Sequence, residues 1–261
     1  MDKWKHGVSK YFKYSNQSIS WLSADTKEIY DYNLKHNYDE LEKQGWIDFD
    51  IKYTFNEHGY RSDSFLKNCT ILFNGCSQTV GIGMPLDMMW SKITADHYEV
   101  FHHNIAIGGS DWSHATQRAL YWIPILKPKI YVFKHPPISR LNWWVNEDHG
   151  DDEFFAGNCG NGLPSDSKYK REYLDLFVNE KNQEWRRFIY TNLLNQICQE
   201  YDCKIIHLPE GSPYKIKDIK PLETTYARDL FHLGVNENKV LGEYAFNKIK
   251  EKDLENGEDI F

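Results

Sequence analysis

Asp229 and His232 stand two residues apart in Tyr226-Ala-Arg-Asp-Leu-Phe-His-Leu-Gly234, just ahead of a helical pattern over Lys239 to Ile249. In a turn, that spacing lets a carboxylate orient an imidazole whose other nitrogen is left to take a proton from a hydroxyl. The hydroxyl with the best placement is Ser77, in Thr70-Ile-Leu-Phe-Asn-Gly-Cys-Ser-Gln-Thr79. There an apolar run stops at Gly75 and the serine opens a loop or helix, where backbone amides can face charge developing on a substrate oxygen. A serine activated in this way performs acyl transfer. Each part has a plainer use, since serine is a favoured helix cap and Asp-x-x-His a common surface pair. Cys76, next in line, is the second-choice nucleophile.

Other strand ends bear on the same chemistry. Val100 to Ile107 reads as a strand that turns at Gly108-Gly109-Ser110, so an amide of Gly108 or Gly109 is a candidate oxyanion donor; an ordinary strand-to-helix turn is the alternative. Lys129 to Phe133 reads as a strand stopped by Pro136 and Pro137, bringing His135, Ser139, Arg140 and Asn142 toward one rim. Arg140 could hold an anionic oxygen and Asn142 could donate an amide hydrogen. Residues 142–170 form the least regular stretch and read as an insertion or lid, with Trp143, Trp144, Phe154 and Phe155 as a candidate wall for a sugar face. Asp148, His149, Asp151 and Asp152 would bind a divalent ion only if they converged. His102 and His103, adjacent in a strand, face opposite ways. Gly75, Gly81 and Gly83 lack the Gly-Lys-Ser/Thr ending of a phosphate loop.

These residues need a scaffold. Strands near 71, 100, 129 and 204 alternate with helices, including Pro85 to Thr94, Ser113 to Ile123 and Val178 to Tyr201. That alternation predicts an α/β fold: a three-layer α/β/α, flavodoxin-like domain around a mainly parallel sheet. The domain spans 49–261. Residues 1–48 read as an extension packed against it, with a helix over Thr26 to Leu41. Residues 49–55 alternate in polarity as an edge strand, and Arg61 after the Gly59 turn reads as structural or as lining the cleft entrance.

The 261 residues are 41% hydrophobic and 15% aromatic, enough for one large core. Thirty-one basic and 38 acidic residues give a net charge of −7 without a basic block, which argues against nucleic acid as a partner. Five cysteines without metal-ligand spacing fit a reducing compartment. The start, Met-Asp-Lys-Trp-Lys-His, has no apolar signal segment and no later run is long enough to cross a membrane. A soluble, cytoplasmic product is the expectation.

Taken in order, Asn56-Glu-His-Gly-Tyr-Arg61, Gly-Cys-Ser-Gln-Thr79, Gly108-Gly109 and Asp229 with His232 resemble the SGNH, or GDSL-like, hydrolase superfamily over roughly residues 56–249. The resemblance implies Ser77 as nucleophile, Asp229 and His232 completing the triad, and Gly108 or Gly109 as the second oxyanion block. It implies a serine esterase or deacylase that acts on a small-molecule or carbohydrate ester without a cofactor. The chain departs from the family by having Cys76 in place of aspartate. It also has Lys134-His-Pro-Pro-Ile-Ser-Arg140 where a Gly-x-Asn-Asp block supplies an asparagine donor. A noncatalytic carbohydrate-binding or assembly protein, and an O-acyltransferase, are the competing readings. Divergent members with similar loops occur in viruses and phages, so self-association or a particle partner is a further expectation.

Overall fold

Ile71–Asn74 is a strand whose every residue is buried, and the fold is built outward from it. The computed structural model describes residues 9–65, 69–144, 154–157, 179–216, 219–220 and 222–256. In chain order the elements are β1 (Ser18–Ile19), α1 (Lys27–His36), α2 (Tyr38–Gln44), β2 (Tyr53–Thr54), β3 (Ile71–Asn74), α3 (Ser77–Val80), α4 (Trp90–Tyr98) and β4 (His102–Asn104). There follow α5 (Trp112–Leu126), β5 (Ile130–Lys134), β6 (Leu141–Trp144), β7 (Phe154–Gly157), α6 (Glu180–Glu200), β8 (Lys204–Leu208) and α7 (Val235–Asn256).

The main sheet runs β4-β3-β5-β8 with every pairing parallel, Phe73 standing opposite Asn104 on one side and Val132 on the other. Parallel strands covered on both faces must be apolar on both, and the period of two sorts their residues into two cores. Ile71, Phe73, Ile130, Val132, Ile206 and Leu208 meet Trp90 and Ala95 of α4 and Leu241, Ala245 and Ile249 of α7. Leu72, Tyr131 and Phe133 meet Ala115, Ala119 and Ile123 of α5 and Leu194 and Cys198 of α6. The result is three layers in the flavodoxin-like order. Its topological switch lies between β3 and β5, and ligands gather in the crevice beyond the carboxyl ends of such strands.

Several boundaries differ from those the sequence predicts. The helix expected over Thr26 to Leu41 is two helices, because Asn37 leaves helical geometry and serves as the end of one and the start of the next. In the strand expected over 49–55, Ile51, Tyr53 and Phe55 are buried in alternation, yet only Tyr53–Thr54 pairs, with β1 and apart from the main sheet. Pro85 leads a 3-10 turn over Leu86–Met88, so the next helix starts at Trp90. Leu141–Trp144 pairs antiparallel with Phe154–Gly157, which gives the expected irregular insertion a hairpin at its base. No described helix is long and apolar enough to cross a membrane. The described cysteines, Cys69, Cys76, Cys198 and Cys203, are free thiols, and Cys159 lies outside the described residues.

His135, just beyond the carboxyl end of β5, meets His207 of β8, with Nε2 of the first 2.9 Å from Nδ1 of the second. One ring must donate and the other accept, which suits two neutral imidazoles. Burial lowers His135 to about 3, helped by its neighbour's charge, and lowers His207 to about 4. The unfolded chain therefore binds protons below about pH 6.5 that the folded chain refuses, and stability falls as pH drops from there toward 3 to 4. Urea titrations should show a loss of roughly 1 kcal/mol per imidazole by pH 5.5, a loss reduced in H207Q. An unchanged pH slope in that variant would contradict the assignment.

Candidate active site

Two adjacent strands end in asparagine, and both side chains hold the loops that follow. Asn74 Nδ2 donates to the carbonyl of Ala115 (2.8 Å) and the hydroxyl of Tyr131 (2.9 Å), while its Oδ1 accepts from the Gly75 amide (2.8 Å). Asn104 Nδ2 donates to the Thr79 carbonyl (2.7 Å), tying the exit of β4 to α3. Arg118 of α5 is buried behind them: Nε donates to the Ile105 carbonyl (2.7 Å), and Nη2 to Asn74 Oδ1 (3.0 Å) and the Gly75 carbonyl (3.1 Å). The loops carrying Ser77 and Gly108 are thus braced by one guanidinium. A β-carbon built on Gly108 would stand 3.7 Å from Cβ of Ser77, so the two expected blocks are neighbours.

Beyond α3 the chain turns at Gly81 to Met84, where Arg61 serves as a clamp. Its Nη1 donates to the carbonyls of Val80 (3.1 Å) and Gly81 (2.6 Å), and its Nη2 to that of Met84 (2.8 Å). Its role is structural, one of the two the sequence allowed.

The Asp229–His232 turn docks on this same segment. Gly83, at φ +73°, has no room for a side chain: a β-carbon would fall 2.9 Å from Cβ of Ala227 and 3.0 Å from the Arg228 nitrogen. Its carbonyl accepts from the Arg228 amide at 3.0 Å. Within the turn, Asp229 Oδ1 accepts from the amides of Phe231 (3.1 Å) and His232 (3.0 Å), and Oδ2 lies 2.5 Å from Nδ1 of His232. Burial raises the Asp229 carboxyl, but the imidazole and these amides outweigh it and hold the group below its ordinary range, as an anion. With the carboxylate at Nδ1, a neutral imidazole carries its proton there and leaves Nε2 as an acceptor.

Ser77, half-buried, starts α3 with Cys76 as its cap. Neither Ser77 Oγ nor His232 Nε2 makes a hydrogen bond among the described residues, so the last contact of a triad is not formed in this structure. Cys76 is buried. Arg140 reaches the Gly108–Ser110 loop, with Nη1 donating to the Ser110 carbonyl at 3.1 Å. Lys134, at the strand end where the SGNH resemblance expects an asparagine donor, is spent on the carbonyls of Pro209 and Gly211. Register places Trp143 opposite Phe155 and Trp144 opposite Phe154, which divides the expected wall into two cross-strand pairs. Their side chains, that of Asn142, and Asp148, His149, Asp151 and Asp152 lie outside the described residues. Among the described residues no cluster of three His, Cys, Asp or Glu could hold a metal.

Four contributors escape a reading of motifs. Arg228 donates to both oxygens of Asp25 (2.9 and 2.6 Å), and the pair is 2% and 1% exposed. Tyr53 donates to Asp25 (2.5 Å) and accepts from the Gly83 amide (2.7 Å). Tyr11 accepts from the Gly108 amide at 3.1 Å. Arg228 lies inside the Asp229 motif and is visible there as a charge beside it; nothing local marks Tyr11 or Asp25, which are remote in sequence.

No protein-family model and no curated protein matches the chain. Solved structures do. A protein from Desulfitobacterium hafniense, described as lipolytic and of the G-D-S-L family, is 13% identical over 69% of this chain and 99% of its own, with a TM-score of 0.34. A family two carbohydrate esterase from Clostridium thermocellum is 15% identical over 72% of this chain and 65% of its own, at 0.37. A psychrotrophic esterase from Pseudoalteromonas is 15% identical over 70% of this chain and 97% of its own, at 0.34.

Removing Asp25 leaves the Arg228 guanidinium buried without its counter-charge. D25A should lose about 3–5 kcal/mol in urea denaturation, the usual cost of breaking a buried pair from one side. A loss below about 1 kcal/mol would show that the pair does not hold the turn.

Proposed function

We propose that this chain is a serine esterase or deacylase that works through an acyl-enzyme. The observation that carries the reading is the buried Asp229–His232 pair, held on the same loop that follows Ser77. Ser77 Oγ attacks the ester carbonyl while His232 Nε2 takes its proton. Asp229 keeps the imidazole in the productive tautomer and stabilises the imidazolium. The Ser77 amide faces the tetrahedral oxyanion, with the second donor supplied at the Gly108–Gly109 block. His232 then returns the proton to the departing alcohol. Water, deprotonated by the same nitrogen, releases the acid. The step asks for no cofactor. The unformed Ser77–His232 contact is compatible with this cycle, because such contacts tighten in the substrate complex.

Short-chain acyl esters and acetylated carbohydrates are the substrates this reading puts first, with Phe231, 73% exposed beside His232, as an apolar surface at the site's edge. The same unformed contact favours one competing reading, a carbohydrate-binding protein that does not hydrolyse. Transfer of the acyl group to a sugar hydroxyl would use the same first half-reaction.

Labelling with a serine-directed fluorophosphonate separates the readings. Wild type should label, S77A should not, and H232A should label at least about a hundredfold more slowly, with circular dichroism unchanged. Hydrolysis of p-nitrophenyl acetate should fall in parallel. Binding of acetylated xylan oligosaccharides without labelling would instead establish the nonhydrolytic protein. Equal labelling of S77A would remove Ser77 as nucleophile.

A further inference from the structure

Tyr11 comes from the segment ahead of the first strand, yet its hydroxyl lies against the Gly108 block of the candidate site. The phenol oxygen accepts the Gly108 amide at 3.1 Å and lies 3.3 Å from Ser23 Oγ. A β-carbon on Gly108 would fall 2.5 Å from that oxygen and 3.7 Å from Ser77 Cβ, so the phenol and the serine flank the same glycine. The ring is fixed by Phe55, with centroids 5.5 Å apart, and is buried.

We infer that Tyr11 is a catalytic residue, the side-chain donor of the oxyanion hole, relaying the Gly108 amide to the tetrahedral oxygen on the Ser77 adduct. The inference rests on the esterase reading and names a part of that site which the motifs do not contain.

The chemistry of the phenol supports this. A tyrosine hydroxyl has one proton to give and two lone pairs to receive. Gly108 fills one lone pair. Ser23, an exposed residue of the 22–25 turn, can donate to the second, leaving the phenol proton for a third partner. Burial raises the tyrosine to about 12, so it keeps its proton and acts throughout as a neutral donor. It stabilises the oxyanion without transferring that proton to it. A phenol whose oxygen already receives two hydrogen bonds is a stronger donor. Of the other described candidates, Arg140 donates to the Ser110 carbonyl and Lys134 to those of Pro209 and Gly211. The same contact also explains why Gly108 must lack a side chain, since a β-carbon would collide with the phenol.

The opposite role would be a plug, in which the phenol blocks the Gly108 amide and restrains the enzyme. Y11F decides between them, because it keeps the ring and removes only the oxygen. The second-order rate of fluorophosphonate labelling should fall about a hundredfold in Y11F, and kcat for p-nitrophenyl acetate should fall with KM nearly unchanged. S23A, altered at an exposed position, should fold normally and slow labelling by about three- to tenfold through loss of one supporting hydrogen bond. Labelling of Y11F at the wild-type rate or faster would overturn the donor role, and a faster rate would establish the plug. A Y11F protein that unfolds leaves S23A to decide: a wild-type rate there would equally overturn it. Wild type that never labels would instead remove the esterase reading, and Tyr11's role with it.

Discussion

A guanidinium buried away from water is tolerable only if its charge and its five N–H groups are answered, and in this protein Asp25 answers Arg228. The pair is bidentate and almost fully enclosed, with Nη1 and Nη2 also donating to the carbonyls of Phe49 (3.1 Å) and Ser20 (2.9 Å), and Trp21 stacked at 4.2 Å. Arg228 immediately precedes the carboxylate that orients His232. Asp25 also receives the Tyr53 hydroxyl, which in turn receives the Gly83 amide. One run of hydrogen bonds, charge-assisted at Asp25, therefore links the loop after Ser77 to the turn that carries the acid and the imidazole.

The sheet supplies the place. Four parallel strands in the order β4-β3-β5-β8 put their carboxyl ends, and hence Ser77 and Gly108, at one edge. Asn74 and Asn104 replace further strand with side-chain bonds to loop backbone, which ends the ladder while leaving few amides unanswered. The segment before β3 completes the site. Beyond Asp25 and Tyr11, Trp46 Nε1 donates to the Tyr226 carbonyl at 2.7 Å, and Asn33 Nδ2 reaches the Asp229 carbonyl at 3.5 Å. We therefore propose that residues 9–48 help to build the candidate site, not only pack against its outside.

The fold class was legible because buried parallel strands write themselves as short apolar runs: Ile71–Asn74, Ile130–Lys134 and Lys204–Leu208 fall where the pattern puts them. Helix ends were less so. The helix expected over Thr26 to Leu41 breaks at Asn37, and the one expected from Pro85 starts only at Trp90. The Asp229–His232 pair was legible because its spacing is local. Asp25 and Tyr11 were not, since a buried ion pair or a phenol on a distant amide leaves no periodicity. His135 and His207 were not legible as a pair, since partners on neighbouring strands are remote in sequence.

The central claim is a covalent intermediate on Ser77. Rapid mixing with p-nitrophenyl acetate, acid quench and peptide mass spectrometry reads that intermediate directly. The account predicts an acetyl group on the peptide's Ser77 that decays on further incubation; an acetyl group on Cys76 instead, or turnover with no adduct at either residue, would contradict it.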